Sequence, residues 1–193
     1  IRRGNVKKAL FSLLSVLLLA LAFPALAEPY TFFNGAQWGM RKAEIAEIEK
    51  AEPDYDAAMR EHVQELGYND QTVSRYTAYR EYLFADDELF LVWYGDFSSN
   101  DDKDLKYLQG ALTSLYGEAT ALPPETVAAF LTDVSGNDWN EKVTFSCQWT
   151  VGDDTDIWLF NTTWNYDENA IYLFYINANF DGSQIGIYDT TGL

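Results

Sequence analysis

The chain is poor in the residues that small domains use for covalent stapling and for polar chemistry. Of its 193 residues one is cysteine, Cys147, and one is histidine, His62. A single cysteine excludes an internal disulfide framework, and a zinc site would have too few Cys and His ligands to draw on. Any Ser-His-Asp or Cys-His mechanism would have to pass through His62. Cations are scarce too: 13 Lys and Arg stand against 30 Asp and Glu, a net charge of −17. That imbalance repels nucleic-acid phosphates and anionic lipid surfaces alike, so nucleic acid is excluded as a partner. The sequence contains no G-x-S-x-G, no H-E-x-x-H and no Gly-rich phosphate loop.

What is present is apolar and aromatic, at 48% and 16% of the chain. That is enough to bury a core, and the length suits one domain. The first 27 residues read as an export signal. Arg2, Arg3, Lys7 and Lys8 form a basic start, 9–23 is an apolar run, Pro24 breaks it, and Ala25-Leu26-Ala27 is a small-residue cleavage site. The apolar run falls short of the roughly 20 residues a spanning helix needs. Cleavage would leave residues 28–193 with a net charge of −21, since the leader carries four cations and no acid. No cysteine follows it to hold a lipid. The expected location is periplasmic or extracellular, with no membrane contact after cleavage.

Periodicity divides the rest. Residues 39–50 read as a short helix, and Tyr55, Ala58, Met59, His62, Val63 and Leu66 recur at helical spacing between Pro53 and Gly67, predicting a second. On that stripe His62 reads as a core-edge histidine. A hairpin follows, from Thr72 through the Asp86-Asp87-Glu88 turn to Phe97. Leu105, Leu108, Leu112 and Leu115 mark a helix ending at Gly117. Residues 119–140 read as an insertion with a short helix after Pro123-Pro124. Val143 to Val151, Asp156 to Trp164 and Ile171 to Phe180 alternate as three strands, and 181–193 reads as an irregular tail. The expectation is one α+β domain over 28–193, an antiparallel sheet with helices packed on one face in helix-hairpin-helix-meander order. The halves share a helix-then-strands order, and Glu118 to Pro124 would be the seam of any duplication.

Three segments carry a resemblance: Phe33-Asn34-Gly35-Ala36-Gln37-Trp38-Gly39-Met40, Leu115-Tyr116-Gly117-Glu118-Ala119, and Trp149 through the Gly152-Asp153-Asp154 turn to Leu159. Together they resemble small exported bacterial α+β domains of the BamE (SmpA/OmlA) lipoprotein type and of the β-lactamase inhibitory protein type. The resemblance implies protein binding and no catalysis.

Candidate sites are few. Asn100, Asp101, Asp102 and Asp104 suggest a calcium loop, but Leu105 and Ala111 stand where an EF-hand needs Gly and Glu. Ser99 or Asn100 capping the next helix explains these acids instead. Cys147 shares a strand face with Phe145 and Trp149 and reads as a buried structural thiol. With 30 carboxylates, a pair at glycosidase spacing arises by chance and carries no weight alone.

The aromatics remain. One face of the last three strands carries Val143, Phe145, Cys147, Trp149, Ile157, Leu159, Ile171, Leu173 and Tyr175. The other carries Trp158, Phe160, Trp164, Tyr172 and Phe174, either covered by 119–140 or open as a binding surface. These five rings are the candidate binding residues of a non-enzymatic interaction module with a protein partner, a basic one given the charge. A carbohydrate or cell-wall binding module is the alternative, and a carboxylate-based hydrolase a further one. No catalytic residue, metal or cofactor is expected, and the oligomeric state is left open.

Overall fold

A computed structural model describes residues 35–139, 142–164 and 168–182, so the expected export signal at 1–27 and the expected irregular tail from 183 on lie outside the described residues. The chain forms α1 (Lys42–Glu49), β1 (Tyr55–Arg60), β2 (Val63–Val73), β3 (Tyr76–Ala85), β4 (Glu88–Gly95), α2 (Asp102–Tyr116), β5 (Thr120–Ala121), α3 (Pro124–Ser135), β6 (Val143–Val151), β7 (Thr155–Trp164) and β8 (Glu168–Asn177). All eight strands join one antiparallel sheet in the order β1-β2-β3-β4-β8-β7-β6-β5. The fold is α+β and dominated by its sheet.

Two expectations fail, and with them the helix-hairpin-helix-meander order, because four strands and not one hairpin follow α1, and β5 and α3 stand between α2 and the last three strands. Residues 55–66 are strands, not a helix: Tyr55 pairs Gly67 and Ala57 pairs Glu65 in a hairpin. A bulge between Ala58 and Arg60 breaks the alternation, so the apolar residues fall at spacings that imitate a helix. His62 sits at the turn, exposed and at φ 67°, with Nδ1 2.8 Å from Asp86 Oδ1. The helices also do not share one face. α1 and α2 cover the first face, where Ile45, Leu105, Leu108 and Leu112 meet Tyr82, Val92, Trp149, Ile157 and Leu173. α3 covers the second, with Val127, Ala128, Leu131 and Val134 against Leu83, Leu91, Phe160 and Phe174. Val143 belongs to that second core because a bulge between it and Phe145 turns it over.

Local chemistry sets the boundaries. Asp86 and Asp87 both take positive φ, 47° and 69°, as a tight hairpin turn with right-handed twist demands. α2 begins at Asp101, not at Ser99 or Asn100, and its carboxylate accepts the amides of Lys103 at 2.8 Å and Asp104 at 2.9 Å. Asp104 then turns inward to accept from Tyr76 Oη at 2.6 Å, Arg75 at 3.1 Å and the Ser99 hydroxyl. Those hydrogen bonds, led by Ser99 and Tyr76, hold its carboxyl well below the usual carboxylate range. On the first face Glu49 of α1 pairs with Arg80 and accepts from the Tyr82 hydroxyl, both charged side chains being about 95% buried. This pins α1 to β3.

Two helix-then-strands units meet at the β4–β8 pair, where Val92 opposes Tyr175 and Trp93 opposes Phe174. The chain crosses between them through residues 96–101, ahead of α2. The seam expected at Glu118 to Pro124 therefore lies inside the second unit, where the short β5 leads to α3.

Candidate functional site

α3 does not reach across the whole second face. Between it and the β1–β4 half lies a cavity of about 230 Å³. Its α3 side is Leu131, Val134 and Ser135, with Trp139 beyond the helix end, and its floor includes Leu83, Leu91, Phe160 and Phe174. Into this apolar space the sheet places two carboxyls, Glu65 and Glu81, only 6% and 5% exposed.

Strand register brings them together. In the β2–β3 pair Glu65 opposes Leu83 and Gly67 opposes Glu81, so the glutamates are diagonal neighbours on one face. Across β3–β4, Glu81 opposes Trp93, and Tyr79 opposes Gly95. Both glycines make room for rings. A β-carbon on Gly67 would stand 1.8 Å from Tyr79 Oη, and one on Gly95 2.5 Å from Trp93 Cζ3. Tyr79 and Trp93 consequently pack edge to face at 5.4 Å beside the carboxyls.

Burial, reinforced by the hydrogen bond and charge of Glu65, pushes the Glu81 carboxyl up to about 8, against the pull of the Tyr79 hydroxyl and the Trp93 indole. The pair therefore holds a proton at neutral pH, as close carboxyl pairs do. The Tyr55 hydroxyl hydrogen-bonds Glu65 from the β1 edge, which raises its own pKa. Among the described residues no Lys, Arg or His lies within ion-pair distance of Glu65 or Glu81. Arg60 shares this face, opposite Val63, with Nε and Nη2 buried and without hydrogen-bond partners.

The five candidate rings separate. Phe160 and Phe174 are core, at 0% and 6% exposure, because α3 and the neighbouring strands enclose them. Tyr172 and Trp158 are half-buried. Tyr172 stacks on Phe160 at 5.3 Å and lines the cavity, while Trp158 packs on Phe130 of α3 at 5.2 Å. Trp164 ends β7 opposite Glu168, and its side chain lies outside the described part. Sequence reasoning missed Glu65, Glu81, Trp93 and Trp139. The usable signal was glycine inside strands, at 67 and 95, marking close approach of a ring.

Elsewhere Cys147 is buried, and burial pushes its thiol up to about 11, which suits a structural residue. Among the described residues no group of three or more His, Cys, Asp or Glu could hold a metal, and no helix is long and apolar enough to cross a membrane. Comparison with protein-family models, with curated proteins and with solved structures returns no match.

Proposed function

We propose that the chain is an exported, non-enzymatic interaction module that binds a basic protein partner at the cavity between α3 and the β1–β4 half of the second face. The observation that carries this reading is the Glu65–Glu81 pair, buried in an aromatic wall with no described cation in ion-pair reach. The pair shares one proton and keeps one buried negative charge, which a cation arriving from outside would neutralise. The rings stand at angles, Trp93 to Tyr172 at 53° and Trp139 to Tyr172 at 89°. A concave set of this kind favours an inserted side chain over a sugar, which stacks on flat, coplanar, exposed rings. The net charge of −17 steers a basic partner and makes association salt-sensitive. The resemblance to exported protein-binding domains points the same way.

One observation favours a carboxylate-based hydrolase as a second reading: a carboxyl pushed up to about 8 beside another is the arrangement of an acid–base pair. The two are in hydrogen-bonding contact, unlike the separations of roughly 5–5.5 Å or 6.5–9.5 Å used by glycosidases. The deciding experiment is capture from envelope and secreted fractions with the full chain, beside a folded Glu65→Gln/Glu81→Gln variant. A partner held by the first and lost by the second supports the module. Equal retention by both, or no retention, overturns it, and hydrolysis of peptide or ester substrates by the unaltered chain alone would establish the second reading.

A further inference from the structure

The cavity's size and wall chemistry narrow the occupant further. A volume of about 230 Å³ lies below the range of roughly 300–1,000 Å³ typical of small-molecule sites, so it suits one long side chain and not an extended ligand. Glu65 and Glu81 line it together with Trp93, Trp139 and Tyr172, whose rings stand at different angles to one another. An ammonium is compact and strongly hydrated, and entry into an apolar cavity would strip that shell. A guanidinium is planar and weakly hydrated, offers a fork of donors to paired carboxyls and stacks on aromatic rings. The chain's own residues 183–193 contain no Lys or Arg to fill this place.

We infer that the cavity between α3 and the β1–β4 half is a guanidinium site that takes one arginine side chain from the basic partner, held by Glu65 and Glu81 and flanked by Trp93 and Trp139. This rests on the interaction reading above. Entry exchanges the proton of the carboxyl pair for the guanidinium, so binding strengthens as pH rises and releases a proton to solvent. The ionisable groups beside the pair or lining the cavity are Tyr55 from β1, Tyr79 from β3 and Tyr172 from β8, while Arg60, on the same face opposite Val63, does not line it. The three phenols are raised above their ordinary value and stay neutral through the range concerned, Tyr79 by burial first and Tyr55 by its hydrogen bond to Glu65. α3 contributes only Leu131, Val134 and Ser135 to the lining.

The test is calorimetric titration of the full chain with N-acetyl-arginine methylamide, with its lysine counterpart, and with its citrulline counterpart, a neutral isostere. We expect the arginine probe to bind at about 1 mM, with citrulline at least tenfold weaker and lysine intermediate. Arginine affinity should rise about 50-fold from pH 6 to 8, with proton release read from buffers of different ionisation enthalpy. Glu81→Gln, checked for an unchanged circular dichroism spectrum, should lose at least tenfold in affinity and its pH dependence. Equal binding of arginine and citrulline, or no arginine binding at 20-fold above that expected constant, overturns the inference without needing any variant. If a partner is captured but free arginine probe does not compete it off, the guanidinium site fails and the interaction module stands. If the probe binds with this selectivity but no protein is captured, the site stands and the protein-partner reading falls.

Discussion

At the scale of single residues, the two faces of β3 carry opposite electrostatic solutions at adjacent positions. Arg80 points to the first face and is neutralised by Glu49, while Glu81 points to the second and keeps a proton instead. Each predicts a different response. An unfolded glutamate titrates near 4.5 and Glu81 near 8, so between those values the folded chain holds a proton that the unfolded chain has released. Stability contributed by this group is therefore lost as pH rises from about 5 to 8, by at most about 1.4 kcal/mol per pH unit. Glu81→Gln should remove that slope, so urea midpoints of the variant should overtake those of the parent at pH 8 and converge at pH 5. Parallel midpoint curves would show that Glu81 is not the group responsible. Glu49→Gln should instead destabilise by about 3–5 kcal/mol at neutral pH, because it leaves Arg80 charged and buried. A loss under 1 kcal/mol in the same titration would mean that Arg80 finds another acceptor.

At the scale of elements, the caps and the cover behave independently. α2 starts on a side-chain cap, so Asp101→Ala should cost about 1 kcal/mol while leaving the cavity untouched. The checks are thermal unfolding and Trp fluorescence, and altered Trp emission in the native state would contradict it. α3 is different because its stripe forms both the second core and one wall of the cavity. Leu131→Ala removes a buried side chain that lines the space, and should lower stability by about 2–5 kcal/mol. It should also widen the cavity next to Trp139, seen as greater quenching of Trp fluorescence by acrylamide. Unchanged quenching would indicate that the helix collapses into the gap.

At the scale of the whole molecule, one sheet is covered on both faces and the two units share the β4–β8 seam. Seam residues serve both cores: Val92 and Tyr175 lie in the first, Trp93 and Phe174 in the second. Neither unit can open that seam without exposing apolar edge, so unfolding should be a single transition. Far-ultraviolet circular dichroism and Trp fluorescence should report coincident urea curves, and two separable steps would show that the units fold apart. Much of this architecture was legible from alternation, including β3, β4 and β6 to β8, the Asp86-Asp87 turn and α2. The β1–β2 hairpin was not, because its bulge places Tyr55, Met59, Val63 and Leu66 at intervals a helix would also produce. Leu115 extends the α2 stripe in sequence and yet is 73% exposed. Spacing assigns a residue to a side of its own element but says nothing about whether a neighbour lies there.

The amino-acid sequence by itself determined the scarcity of cysteine and histidine, the negative charge, and the presence of two apolar faces along β6, β7 and β8. These are properties of composition and of local period, and no long-range contact can change them. Only the tertiary structure decided which helix covers which face, that Phe160 and Phe174 are core, and that Glu65 and Glu81 meet. The pairing register of β2, β3 and β4 sets two carboxyls 16 residues apart on one patch. α3, arriving from beyond residue 120, then walls the space beside them with Leu131 and Val134. A carboxylate in a strand reads as solvated surface until something apolar is packed against it, and that packing is a contact between distant parts of the chain.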